Sequence, residues 1–93
     1  MKKLHLPALP ANEGARLLAR RIMAAYRGSL PLACRSMQIP VTTLQRLVNA
    51  EIVPGKELVA DVARATQGTI QRHHWRQDAV GGWLDAVNIQ NAA

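Results

Sequence analysis

Residues 29–49 read SLPLACRSMQIPVTTLQRLVN, and the fold turns on this stretch. Ser29 can cap a helix, because its hydroxyl accepts a hydrogen bond from a first-turn amide, and Pro31 is tolerated in that turn. This helix is expected to end near Met37. Gln38-Ile39-Pro40 then interrupts the pattern, and a second helix is expected over Val41–Asn49, since proline is accepted at a helix start but not inside one. Two short helices crossing steeply need a small side chain at closest approach and an apolar set facing the core. Cys34 supplies the first, as an inert packed group rather than a nucleophile. Met37, Ile39, Leu44 and Leu47 supply the second.

Upstream, Asn12 caps a helix running through Glu13–Arg27, with an acid in its first turn and Gly28 as its stop. Ala15, Leu18, Ile22 and Ala25 make its apolar face. Arg16, Arg20 and Arg27 fall within about 40° of one another at 100° per residue, forming a basic stripe on another face. Downstream, residues 51–55 form a loop before a helix over Lys56–Thr66. That helix carries Leu58, Val62 and Ala65 on one face, Glu57, Asp61 and Arg64 on another, and ends at Gly68. Thr69 and Ile70 read as extended, Gln71–Arg76 as a short helical turn, and Gly81-Gly82 as a break before Trp83–Val87. The expected fold is all-α with four to five short helices. It divides into a flexible or loosely docked arm (1–12), a helical domain (13–78) and a C-terminal extension (79–93).

The chain has 93 residues and 10.2 kDa, enough for one domain with one modest core. Hydrophobic residues make up 48% but aromatics only 3%, with no Phe, so Ala, Leu, Val and Ile must fill that core. No apolar run approaches the roughly 20 residues of a membrane span. Pro7 and Pro10 break the opening MKKLHLPALPAN too early for a signal peptide. One cysteine cannot close an internal disulfide, which favours the cytoplasm. Net charge is +6, unevenly placed. Residues 1–50 hold eight basic side chains against Glu13 alone, a balance of +7; residues 51–93 hold four against five acids, a balance of −1. A polyanion partner follows, since Lys and Arg on phosphates release condensed counterions.

With its small residue, its apolar residues on either side of the turn and the pair Leu44/Leu47, segment 29–49 resembles the helix-turn-helix of the phage Cro and repressor families. The likeness extends through Asn49, a loop, a proline and KELVADVARATQGTIQRHHWRQD to small phage regulators and YdaS-type antitoxins, and covers about residues 14–78. Three positions depart from the pattern. Gln38 stands where glycine is common, which demands a costly left-handed backbone or a different turn. Pro40 replaces a Ser or Thr cap. Leu30-Pro31 replaces a glutamine that often contacts phosphate.

The resemblance implies a lambda-repressor-like domain whose second motif helix lies in the major groove of double-stranded DNA. The groove-facing candidates are Val41, Thr42, Thr43, Gln45, Arg46 and Asn49. Arg46 suits guanine, Gln45 suits adenine, and Val41 or a threonine methyl suits thymine. Ser29 and Arg35 are candidates for phosphate contacts, together with Arg16, Arg20 and Arg27. Trp75 is read as capping the helical core. Trp83, Leu84 and Val87 form an apolar cluster assigned to a homodimer contact, with docking onto the same chain as the competing reading. The function so implied is a transcriptional repressor in a bacterial host cell, binding a pseudo-palindromic operator as a homodimer and associated with the nucleoid. The alternative is an antitoxin or interaction module of the same fold that binds a partner protein.

Chemistry is not expected elsewhere. His73 and His74 are adjacent and diverge by about 100° on a helix, unlike the i, i+4 spacing of a chelating pair. Gly55-Lys56 lacks the remaining glycine and the Ser/Thr of a phosphate-binding loop. No catalytic constellation, metal site or cofactor is expected.

Overall fold

The computed structural model describes residues 2–84. Asn12 starts the first helix as its sequence suggests: its side chain accepts from the Ala15 amide at 2.7 Å. Helix α1 spans Glu13–Tyr26 and stops on two left-handed residues, Arg27 (φ 54°) and Gly28 (φ 79°). Ser29 caps α2 (Leu30–Met37), its hydroxyl accepting from the Leu32 amide at 3.3 Å. Gln38 takes the left-handed conformation (φ 61°) and its amide closes back on the Cys34 carbonyl at 2.8 Å. Helix α3 spans Val41–Asn49 behind Pro40 and ends on another left-handed residue, Ala50 (φ 59°). Helix α4 spans Lys56–Ala65. Thr66 closes it from inside the core, its hydroxyl donating to the Val62 carbonyl (2.8 Å) and accepting from the Ile70 amide (3.3 Å). A 3₁₀ turn, Arg72–Arg76, follows. The domain is thus all-helical; among the described residues no strand occurs, only an isolated antiparallel bridge between Lys3 and Ser29.

Helix α1 packs on α2, α3 and the 3₁₀ turn, while α2 also meets α3 and α4. Leu18, Ile22, Leu30, Leu44, Leu47 and Val62 are sealed from solvent, with Met37 and Ile39 beside them. Two core expectations need correction. The fully buried small residue of α2 is Ala33, whereas Cys34 is half-buried against the edge of the core. Ala25 is exposed, because the buried face of α1 steps from Ile22 to Tyr26, by four residues rather than three.

The two ends of the described chain close the domain. Residues 2–10, expected to be loose, are tied down: the Leu30 amide donates to the Lys2 carbonyl (3.1 Å) and the Leu4 amide to that of Gly28 (2.8 Å). Leu4 and Leu6 pack on the core. At the other end, the Glu13 amide donates to the Gln77 carbonyl (2.9 Å), and the buried Glu13 carboxylate accepts from the Val80 amide (2.8 Å). Trp75 lies so close over Gly14 that a Cβ there would overlap the six-membered ring of the indole. Among the described residues, no helix is long and apolar enough to cross a membrane.

Candidate nucleic-acid interface

Helix α3 separates its side chains cleanly. Leu44, Leu47 and Val48 face the core. Thr42, Gln45, Arg46 and Asn49 fall on the opposite side within an arc of about 100°. Thr42 and Arg46 are exposed; Gln45 and Asn49 are half-buried. Val41 and Thr43 flank the arc, with Val41 leaning against the core.

Gln45 is already engaged. Its Oε1 accepts from the His5 amide at 2.9 Å, and its Nε2 donates to the His5 carbonyl at 2.7 Å. Nε2 also donates to Asn49 Oδ1 at 3.0 Å, and Asn49 Nδ2 donates to Glu51 Oε2 at 3.0 Å. Two of the six base-reading candidates are therefore linked in one chain of hydrogen bonds from the N-terminal segment to Glu51. Thr42 and Arg46 carry the open polar surface of the helix.

The phosphate-contact candidates divide sharply. Arg27 and Arg35 are exposed. Ser29, whose oxygen accepts from the Leu32 amide, is buried beneath the surface, so that candidate is withdrawn. Arg16 is withdrawn as well: it is 0% exposed, and its Nε donates to Glu13 Oε1 at 3.1 Å. Arg20 is half-buried and donates to the Trp83 carbonyl at 2.9 Å. The α1 basic stripe is thus largely consumed inside the fold, because the chain around Glu13 and residues 77–83 covers its N-terminal part. Lys2 and Lys3 were not among the candidates, yet both side chains are exposed beside the start of α2, where their backbones pair with Leu30 and Ser29. Charge was the only sequence signal at those two positions; the pairing that places them is non-local.

Trp83 does not stand at a surface between chains. It is 7% exposed, and its indole N–H donates to the Pro7 carbonyl at 2.7 Å, so the competing reading of docking onto its own chain holds for this residue. Leu84 is 82% exposed, and Val87 lies outside the described residues. Trp75 is buried against the helices.

The rings of His73 and His74, expected to diverge, lie with centroids 4.2 Å apart on the 3₁₀ turn. His74 Nδ1 accepts from the Gln71 amide at 2.9 Å. Burial holds the His74 pKa below the ordinary 6.5, the neighbouring His73 charge acts in the same sense, and the Glu13 carboxylate opposes both. Among the described residues, no three His, Cys, Asp or Glu side chains gather where they could hold a metal ion.

Comparison with known protein families, curated proteins and solved structures finds no match to this chain.

Proposed function

We propose that this protein is a sequence-specific DNA-binding regulator of the Cro/repressor-like helix-turn-helix kind, with α3 entering the major groove. The observation that carries the reading is the division of α3: three apolar residues in the core and an open face bearing Thr42 and Arg46, preceded by α2 with its exposed Arg35. Arg46 reads guanine through its planar fork, and Thr42 offers a methyl to thymine or a hydroxyl to a base edge. Arg35, Arg27, Lys2 and Lys3 supply backbone affinity. Two copies on a pseudo-palindrome would place their α3 helices about one turn of DNA apart and repress by covering a promoter.

Selection of bound duplexes from a random library at about 150 mM salt, with the mass of the bound species measured alongside, tests this reading. Enrichment of a pseudo-palindrome bound by two chains is the expected result. If about four phosphates are neutralised per chain, the log–log salt slope is about −4 per chain bound. Arg46→Ala should abolish discrimination while leaving non-specific binding largely intact; an equal loss of both would remove Arg46 as a reader.

A second reading has one observation in its favour. The engagement of Gln45 and Asn49 within the chain leaves α3 a less polar reading face, which suits a protein partner. A folded protein that enriches no DNA sequence would turn the assignment to this interaction module or antitoxin.

A further inference from the structure

We propose that the cavity at the start of α4 is an oxyanion site that takes a phosphate group. The cavity, of about 170 Å³, is lined by Lys56, Arg72 and Arg76, by Gly55, and by the apolar Val59 and Trp75. It belongs to α4 and the 3₁₀ turn, so the site stands whether or not α3 reads DNA.

Three independent features converge there. The first is charge: three cations from two elements line one concavity, and none forms an ion pair within 4.0 Å among the described residues. Like charges so gathered repel one another, and an anion between them relieves that repulsion. The second is the helix. Gly55 caps α4 without a side-chain acceptor, so the first-turn amides keep their donors and the positive end of the helix dipole faces outward. Glu57, the acid of that turn, is not part of the cavity lining. The third is Trp75. It is 8% exposed, and its indole N–H is buried with no acceptor among the described residues, a condition few native polar groups tolerate.

Size limits the ligand. Pockets for drug-sized molecules start near 300 Å³. This cavity has room for a phosphate group but not for a nucleoside, and no glycine-rich nucleotide loop accompanies it. The phosphate is either free, as inorganic phosphate or the end of a phosphomonoester, or belongs to a nucleic-acid backbone.

The test is titration of the isotopically labelled full chain with inorganic phosphate at neutral pH and constant ionic strength, with sodium chloride as the control. The Lys56 and Glu57 amide signals and the Trp75 indole N–H signal should shift and saturate with phosphate alone. Arg72→Gln/Arg76→Gln should weaken that binding by about tenfold or more, as loss of charge-assisted hydrogen bonds does, and Lys56→Gln should weaken it less. All three side chains are exposed, so the variants should keep the wild-type helical signal. Absence of saturation, equal shifts with chloride, or undiminished binding in the double variant would overturn the site. Once phosphate binding is established, adding a DNA duplex separates the sources: displacement of phosphate assigns the pocket to the nucleic-acid backbone, and simultaneous binding assigns it to free phosphate.

Discussion

The α2–α3 pair and the segments that close the domain, residues 2–10 and 71–84, are held together in opposite ways. In the pair, the bonds are local: Ser29 to Leu32, Cys34 to Gln38, Arg46 to Glu51. In the closing segments, the partners lie far apart in the chain, 40 residues for His5 and Gln45, 63 for Arg20 and Trp83, and 76 for Pro7 and Trp83. Local bonds follow from capping and turn chemistry that neighbouring residues announce. Distant ones follow from the need of a small domain to cover its core, and they recruit whatever polar side chain is at hand. This is how two arginines of the α1 stripe, Arg16 and Arg20, and the glutamine Gln45 come to serve as internal fastenings.

The largest expected effect breaks the pair. Leu47→Ala empties a sealed position and should cost about 2–5 kcal/mol in urea unfolding followed by circular dichroism. A cost well under 1 kcal/mol would mean that α3 does not seat as described. Next comes a change on the closing side. Gly14→Ala drives a methyl into the Trp75 ring and should cost about 1–3 kcal/mol, with a change in tryptophan emission that Leu47→Ala need not produce. Unaltered stability and emission would show that Trp75 does not lie on α1. A smaller change sharpens the contrast by improving a local stop. Ala50→Gly should gain about 0.5–1 kcal/mol, because glycine takes the left-handed backbone without the Cβ clash. A loss of stability there would contradict the left-handed turn.

The smallest effect is one of pH, and it too belongs to the closing side. His74 has a folded-state pKa below 6.5, so the unfolded chain binds the proton first as pH falls. The contribution is fully present above pH 6.5, declines as pH drops below that value, and levels off once pH is under the folded pKa. His74→Asn can keep an acceptor for the Gln71 amide and should flatten this part of the unfolding profile. An unchanged slope between the two proteins would assign the acid sensitivity to other groups.

The contrast also explains what the sequence made legible. The span of α3, the Asn12 and Ser29 caps and the burial of Met37, Ile39, Leu44 and Leu47 all follow from local rules, and each is found. Ser29 is the instructive error, because the packing that seats it as the α2 cap also buries it away from any phosphate. Arg16 carried no signal of its burial: nothing between residues 13 and 27 announces that the chain around residue 80 returns to bind Glu13. The basic cavity was hidden for the same reason. Lys56, Arg72 and Arg76 sit in the half of the chain whose net charge is −1, and only the packing of α4 on the 3₁₀ turn brings them together.

The His5–Gln45 contact has a further consequence. The His5 backbone offers Gln45 one N–H and one carbonyl side by side, the same donor–acceptor edge that adenine presents in the major groove through N6 and N7. In the free chain, Gln45 therefore already pairs with a backbone edge of the kind adenine would offer it. Binding an adenine there would be an exchange of like for like, with almost no net gain in hydrogen bonds. On the proposed reading, any adenine preference at Gln45 would depend on how readily the His5 backbone is given up.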